Sequence, residues 1–353
     1  MLGMGRSSRP SFRIDSKDHA GKIRETENWF IDALEEWRIE KKIERFTLLG
    51  HSLGGYMAVC YALKYPGRLN KLILASPVGI PEDPNAVAEP LPDEGGRSGG
   101  DAEMEMDTGA ADGKDNNNFL NARTHNPSSS TKPAQPPVKR RLFNWLWDQN
   151  VSVFSFVRWS GPLGPRLVSG WTSRRFGTLP TEEASALHDY SYSLFRQRGS
   201  GEYALGYVLA PGAYARSPLI RRIGAVGRGE YVPAEVGPGI AAREGSGEGG
   251  DKLAKVKESG IPIVFMYGSH DWMDVKGGYA AIEKLNAERE KAEKAQRAQV
   301  QGRTGREQGT AKVLIVDKAG HHVYLDGDKE FNEMMLEEMR DTERRQQGQQ
   351  QQR

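Results

Sequence analysis

Apolar positions recur along this chain at two spacings. Over residues 25–42 they fall three and four apart (Trp29, Phe30, Ala33, Leu34, Trp37) with charges between them, which predicts an amphipathic helix. Elsewhere they come in short, nearly unbroken runs: Phe46–Leu49, Leu69–Ala75 around Leu72-Ile73-Leu74, Ile263–Tyr267 after Gly260-Ile261-Pro262, and Val313–Val316. Such runs read as strands buried on both faces. A helix-like run, Tyr56–Leu63, follows the first of them and stops before Tyr65-Pro66-Gly67. Strands alternating with helices predict an α/β fold with a mostly parallel sheet. Parallel sheets place their sites at the carboxyl ends of the strands.

The alternation is broken in several places. Residues 1–84 and 253–341 carry the α/β core. Residues 85–138 are rich in Gly, Pro, Asp, Glu, Asn and Ser, and predict a disordered acidic insertion. Residues 139–223 are aromatic and helical in pattern, the place of a cap. Residues 224–252 predict a Gly-rich loop, 283–309 a solvated helix and then a loop, and 342–353 a disordered Gln-rich tail. The basic triplet Lys139-Arg140-Arg141 leads into Leu142-Phe143-Asn144-Trp145-Leu146-Trp147, which suits a helix lying on a membrane surface. The same aromatics could equally pack a cap onto a core.

With 49 basic and 47 acidic residues the net charge is +2, so no field for nucleic acid is implied. The single cysteine, Cys60, excludes an intrachain disulfide and fits a reducing compartment; its place in the helix-like run marks it as core packing. No apolar run has the length of a membrane span, and residues 1–8 contain no signal-peptide core.

The chemistry is concentrated at three loops. Gly50-His51-Ser52-Leu53-Gly54-Gly55 joins the first strand to its helix, and Gly-x-Ser-x-Gly in that context is the nucleophile elbow of α/β-hydrolases. The glycines two before and two after Ser52 are expected to let strand and helix approach. The Leu53 N–H is expected to face an oxyanion. A serine nucleophile needs a base, and the base a carboxylate, in the chain order Ser, acid, His. After the third run comes Gly268-Ser269-His270-Asp271-Trp272-Met273-Asp274, which offers Asp271 as the acid and Asp274 as its alternative. After the last run comes Ala319-Gly320-His321-His322-Val323-Tyr324, where His321 is favoured as base over His322. His51 is expected to pack or hydrogen-bond beside the serine. His321, His322 and Asp326 lack a further ligand at metal spacing, and no cofactor is called for.

These segments resemble the α/β-hydrolase subfamily of phospholipid acyl hydrolases and acyltransferases. It includes fungal mitochondrial cardiolipin-specific deacylases, N-acyl-phosphatidylethanolamine lipases and lipid-droplet lipase coactivators. The resemblance is carried by residues 2–10 (Leu-Gly-Met-Gly-Arg-Ser-Ser-Arg-Pro), Leu48–Gly55, Leu63–Pro66, Ser76–Pro81 and Gly320–Asp326. Phe143–Trp147, Arg196–Tyr203 and Asp271–Asp274 look like the fungal deacylase branch. The resemblance implies a serine hydrolase that removes an acyl chain from a membrane phospholipid, cardiolipin above all, at the mitochondrial inner membrane. Cytosol or lipid droplet is the alternative location. His321-x4-Asp326 looks like the subfamily's acyltransferase motif, so acyl transfer to a lysophospholipid is the alternative activity. A non-catalytic regulator of a lipase is a further alternative, although coactivator members lack the serine that stands here as Ser52.

Members of the subfamily have a longer N-terminal region, with the first strands of the sheet and a His-Gly loop that donates to the oxyanion. This sequence contains no His-Gly dipeptide. The resemblance therefore implies an N-terminally truncated chain with an unpaired apolar sheet edge. It would also lack one oxyanion donor, worth about 3–4 kcal/mol in comparable sites.

Overall fold

The computed structural model describes residues 1–82, 145–147, 150–177, 179–232, 255–298 and 307–351. The acidic insertion expected over 85–138 and most of the Gly-rich loop lie outside the described residues. So do Phe143 and Asn144 of the aromatic stretch. The chain divides into two compact units, Met1–Ala33 with Pro81–Pro218, and Leu34–Ile80 with Leu219–Arg353.

The second unit is built on four parallel strands in the order β1 (Phe46–His51), β2 (Leu69–Ala75), β5 (Pro262–Gly268) and β6 (Thr310–Val316). A two-residue antiparallel ladder pairs β3 (Glu230–Tyr231), within what the sequence reads as a Gly-rich loop, with β4 (Val256–Lys257), just beyond it. The central strands β2 and β5 are almost wholly buried. β1 differs from its expected burial. It is an edge of this sheet, most of it is half-buried, and Leu49 is exposed.

Ile73 and Ala75 project from one face of β2, two residues apart as a strand requires. They join Val264, Met266, Val316, Ala319, Val323 and Phe331 in one cluster, with Met334 and Met335 packed against it. Phe331, Met334 and Met335 recur at helical spacing on the terminal helix, Asp328–Gln350. The same stripe continues through Glu338 and Thr342, both buried. The tail expected to be disordered from residue 342 is therefore helical to Gln350. Gln, Arg and Glu are good helix formers, and a helix already nucleated by packing extends at little cost.

One residue on that face of β2 is charged. Lys71 is fully buried and its Nζ reaches the Glu338 carbonyl at 2.8 Å, Glu338 Oε2 at 2.9 Å and Asp341 Oδ2 at 2.8 Å. Lys312 also pairs with Glu338. A buried ammonium is tolerable only when its protons are satisfied by such partners.

Helix α1 (His19–Glu40) begins before the expected residue 25. Its buried side chains also depart from the expected stripe. Trp37 is exposed, whereas Glu35 and Arg38 are buried. The two form a bidentate pair, Nε to Oε2 at 2.8 Å and Nη2 to Oε1 at 2.7 Å. The Tyr61 hydroxyl on α2 (Leu53–Lys64) donates to Glu35 Oε2 at 2.6 Å. Burial alone would raise the Glu35 pKa, but the bonds from Arg38 and Tyr61 outweigh it and hold it below the usual range.

The first unit holds the aromatic block. Its helices are α3 (Val153–Trp159), α4 (Gly164–Arg175) and α5 (Thr181–Phe195). Phe154 stacks on Phe195 at 4.4 Å, and Trp171 meets the same ring edge-on at 5.7 Å. Within the run thought to suit a membrane surface, Trp147 is buried and donates to the Leu209 carbonyl at 3.0 Å, whereas Trp145 is exposed. Residues 1–10 and 196–203 meet here. The Ser200 hydroxyl donates to the Pro10 carbonyl at 2.6 Å, and Gly3, at φ 78°, leaves no room for a Cβ against Gly201 N.

Removing Lys71 would leave Glu338 buried beside fewer counter-charges. Lys71→Ala is expected to lower unfolding stability by about 3–5 kcal/mol in urea titrations. Lys71→Met combined with Glu338→Gln is expected to recover most of that loss.

Candidate active site

Ser52 is held in an unusual backbone shape, φ 53° and ψ −118°, where a residue with a Cβ is strained. Hydrogen bonds fix it there. Its N–H donates to the Ala75 carbonyl at 3.0 Å. Its own carbonyl accepts from Gly55 at 2.9 Å, and from Tyr56 and Val78 at 3.2 Å. A serine preceding a helix commonly caps it with its hydroxyl. Ser52 precedes α2 but makes no such bond, which leaves Oγ for other chemistry. Leu53 opens the helix, so its N–H has no intrahelical acceptor.

The steric demand falls on one of the two expected glycines and on the neighbour of the other. A Cβ on Gly50 would collide with the Gly54 carbonyl, and one on Gly55 would lie 2.8 Å from the Pro77 ring. Gly54, two residues after the serine, has open space around its Cβ direction. Close approach is thus enforced at Gly50 and Gly55, and Gly54 is sterically free.

The other two loops are zipped together by their backbones. Ser269 N–H donates to the Val316 carbonyl and His270 N–H to the Ala319 carbonyl, each at 3.0 Å. Gly268 ends β5 against the carbonyls of Ala319 and Gly320, and any Cβ there would strike them. This fixes the loop bearing Asp271 to the loop bearing His321. The result is a continuous chain of side chains: His321 Nε2 lies 3.1 Å from Ser52 Oγ, and His321 Nδ1 lies 3.1 Å from Asp271 Oδ1. Both the imidazole and the carboxylate are buried. With Nδ1–H donating to Asp271, Nε2 is the acceptor of the serine proton.

Asp271 also accepts from Met273 N–H at 3.0 Å. Burial pushes its pKa up. The hydrogen bond and charge of His321 outweigh it, aided by Met273 N–H, and the carboxyl lies below its ordinary value. Asp274 is not part of this chain of groups. Its Oδ1 accepts from Lys276 N–H at 3.0 Å at the start of helix Val275–Ala298, which it caps.

His51 donates from Nε2 to the His321 carbonyl at 2.9 Å, and its ring lies 4.8 Å from that of His321. It braces the base. His322 is turned elsewhere, edge-on to His321 at 5.6 Å, and its carbonyl opens the short helix Val323–Asp326. Trp272 covers His321 at 5.0 Å between ring centres. Sequence reasoning missed this ring although it stands next to the acid. Asp326 accepts from Gly320 N–H through Oδ2 at 3.1 Å and so latches the turn that carries His321.

A strand–serine–helix elbow on a parallel sheet, with histidine and acid on later strand-end loops, defines the α/β-hydrolase fold. The family model for that fold matches residues 1–108. Over 341 residues the chain is 29% identical to a 1-acylglycerol-3-phosphate O-acyltransferase of Arabidopsis thaliana, covering 95% of this chain and 57% of the relative. It is 22% identical to the 1-acylglycerol-3-phosphate O-acyltransferase ICT1 of Saccharomyces cerevisiae, covering 90% of this chain and 61% of that one. It is 25% identical to the human 1-acylglycerol-3-phosphate O-acyltransferase ABHD5, covering 96% and 67%. The chain thus spans 57% of the length of the plant relative. Among solved structures, MenH of S. aureus matches with 13% identity and a TM-score of 0.44, over 97% of this chain and 82% of that one.

Asp271→Asn is expected to lower ester turnover by about 10³–10⁴-fold while leaving KM nearly unchanged, because the amide cannot hold the same tautomer or balance an imidazolium. The substitution also tests linkage. A carboxyl whose pKa is depressed on folding stabilises the protein above its unfolded value of about 3.9, and that contribution is lost as pH falls through the folded value. Acid unfolding of the variant, followed by circular dichroism, is expected to have a shallower slope in that window.

Proposed function

We propose that this chain carries the site of a phospholipid acyl-transferring serine enzyme, and that Ser52, His321 and Asp271 are its catalytic residues. The observation that carries the reading is the imidazole of His321, within 3.1 Å of both the Ser52 hydroxyl and the Asp271 carboxylate. His321 Nε2 takes the serine proton as Oγ attacks the ester carbonyl of a phospholipid, and the Leu53 N–H receives the developing oxyanion. The C–O bond to the lysolipid breaks, the lysolipid leaves with the proton from His321, and an acyl-serine remains. An acceptor hydroxyl then gives its proton to His321 as it attacks the acyl carbon, the bond to Ser52 Oγ breaks, and Oγ takes that proton back from His321.

The acceptor decides between two activities. Relatives named 1-acylglycerol-3-phosphate O-acyltransferases support a lysophospholipid hydroxyl, with phosphatidic acid as product. The second reading is water as acceptor, which makes the chain a phospholipid deacylase. It is favoured by the polarised Ser–His–Asp geometry, which activates water by the same proton path. Cardiolipin as substrate and the mitochondrial inner membrane as location belong to that second reading and rest on the resemblance of the aromatic and acid-loop segments. Either way the substrate sits in a bilayer, and we assign the protein a peripheral place on it. No helix among the described residues is long and apolar enough to cross a membrane.

The assay supplies a phospholipid with a radiolabelled acyl chain, with and without lysophosphatidic acid. Labelled phosphatidic acid supports transfer, and labelled fatty acid alone supports the deacylase. Ser52→Ala is expected to abolish either product by at least about 10³-fold and to prevent labelling by a fluorophosphonate. Asp326→Ala is expected to lower transfer and hydrolysis by the same factor, because it loosens the turn bearing His321. A loss confined to transfer would give Asp326 a direct part in handling the acceptor.

A further inference from the structure

In the first unit, α3 and the start of α4 expose four large apolar side chains, on a stretch of sequence that carries arginines and no acidic residue. Phe156 and Trp159 stand one turn apart on α3, edge to face at 6.0 Å, and are 48% and 73% exposed. Leu163 and Leu167 stand one turn apart at the start of α4, 61% and 51% exposed. α4 also has a separate inner stripe, Gly164, Val168, Thr172 and Arg175, all buried. The helix has thus committed its packing face, and the Leu163–Leu167 side is surplus to it.

Charge on this segment is one-sided. From Val151 to Pro180 there is no aspartate or glutamate, though the chain as a whole has 47 in 353 residues. The same stretch holds four arginines. Arg158 is engaged by Glu202 at 2.6 Å and Arg175 is buried, but Arg166 and Arg174 are exposed. Arg174 lies seven residues from Leu167, on the same side of the helix.

We infer that the Phe156–Trp159–Leu163–Leu167 face docks on the surface of an anionic phospholipid bilayer, the apolar side chains entering the headgroup boundary and Arg166 and Arg174 meeting lipid phosphates. An aqueous protein surface gains nothing from four large apolar side chains exposed within twelve residues of one another. A bilayer interface accepts them, and its negative potential attracts the arginines. The inference builds on the phospholipid reading of the Ser52 site but names a different surface.

The full chain is mixed with vesicles of phosphatidylcholine, with or without phosphatidylglycerol, and binding is read by co-sedimentation. Wild type is expected to bind the anionic vesicles. The pair Trp159→Ser with Leu163→Ser is expected to bind about tenfold more weakly at any salt concentration, and Arg166→Glu with Arg174→Glu about tenfold more weakly at low salt. An environment-sensitive dye on Leu163→Cys is expected to shift to the blue on anionic vesicles, whereas the same dye on Arg297→Cys is not. No shift at residue 163, or one that appears with rising protein concentration and no lipid, overturns the inference; the latter assigns the face to a second copy of the chain. Turnover of p-nitrophenyl butyrate is followed in parallel. Its absence in a chain that still docks counts against the Ser52 reading and leaves the docking face standing.

Discussion

The site depends on a backbone held against its preference. At φ 53° and ψ −118°, Ser52 carries strain of about 1–3 kcal/mol that only its surroundings can sustain. They do so from both sides of the chain. Ala75, at the end of the neighbouring strand, receives its N–H, and the first turn of α2 together with Val78 donates to its carbonyl. The strain lifts the hydroxyl off the helix end it would otherwise cap and presents it to His321. The register of β1 on β2, His51 opposite Ala75, is therefore part of the chemistry as well as the fold.

The positions of the base and acid follow from a second constraint. Gly268, Ser269 and His270 lie so close to the turn at Ala319–Gly320 that two backbone bonds and a glycine are needed to fit them. This zipper makes two loops some fifty residues apart behave as one support. Asp326 latches the far side of the same turn and His51 braces its carbonyl. In this turn the spacing of His321 and Asp326 lets the carboxylate hold the backbone just before the histidine.

Much of this was legible in the sequence, for identifiable reasons. Four strands announced themselves because they are apolar on both faces. Ser52, Asp271 and His321 announced themselves because each follows a strand end, where a parallel sheet puts its chemistry. The choice of Asp271 over Asp274 was left open on sequence. Geometry separates them, since one aspartate caps a helix and the other reaches an imidazole. What the sequence concealed was polar burial. Lys71 looks like an interruption in a strand, and its partners Glu338 and Asp341 lie some 270 residues away. Glu35 and Arg38 look like the wet side of α1 until Tyr61 and each other satisfy them. Periodicity counts a charge as outward-facing, and only a tertiary partner reverses that. The Gln-rich tail misled in the opposite direction, because a composition common in disorder is also a good helix composition once one end is anchored.

The Lys71 cluster also bears on the order in which the protein can be made. A ribosome delivers β2 well before the helix Asp328–Gln350. Until residues 338 and 341 have emerged, an ammonium group destined for the interior has nothing to neutralise it, and the sheet face around Ile73 lies open to water. A nascent chain therefore cannot finish its centre piecemeal. The buried ammonium, and with it the strand that supports the strained serine through Ala75, is therefore expected to need the helix Asp328–Gln350 in place.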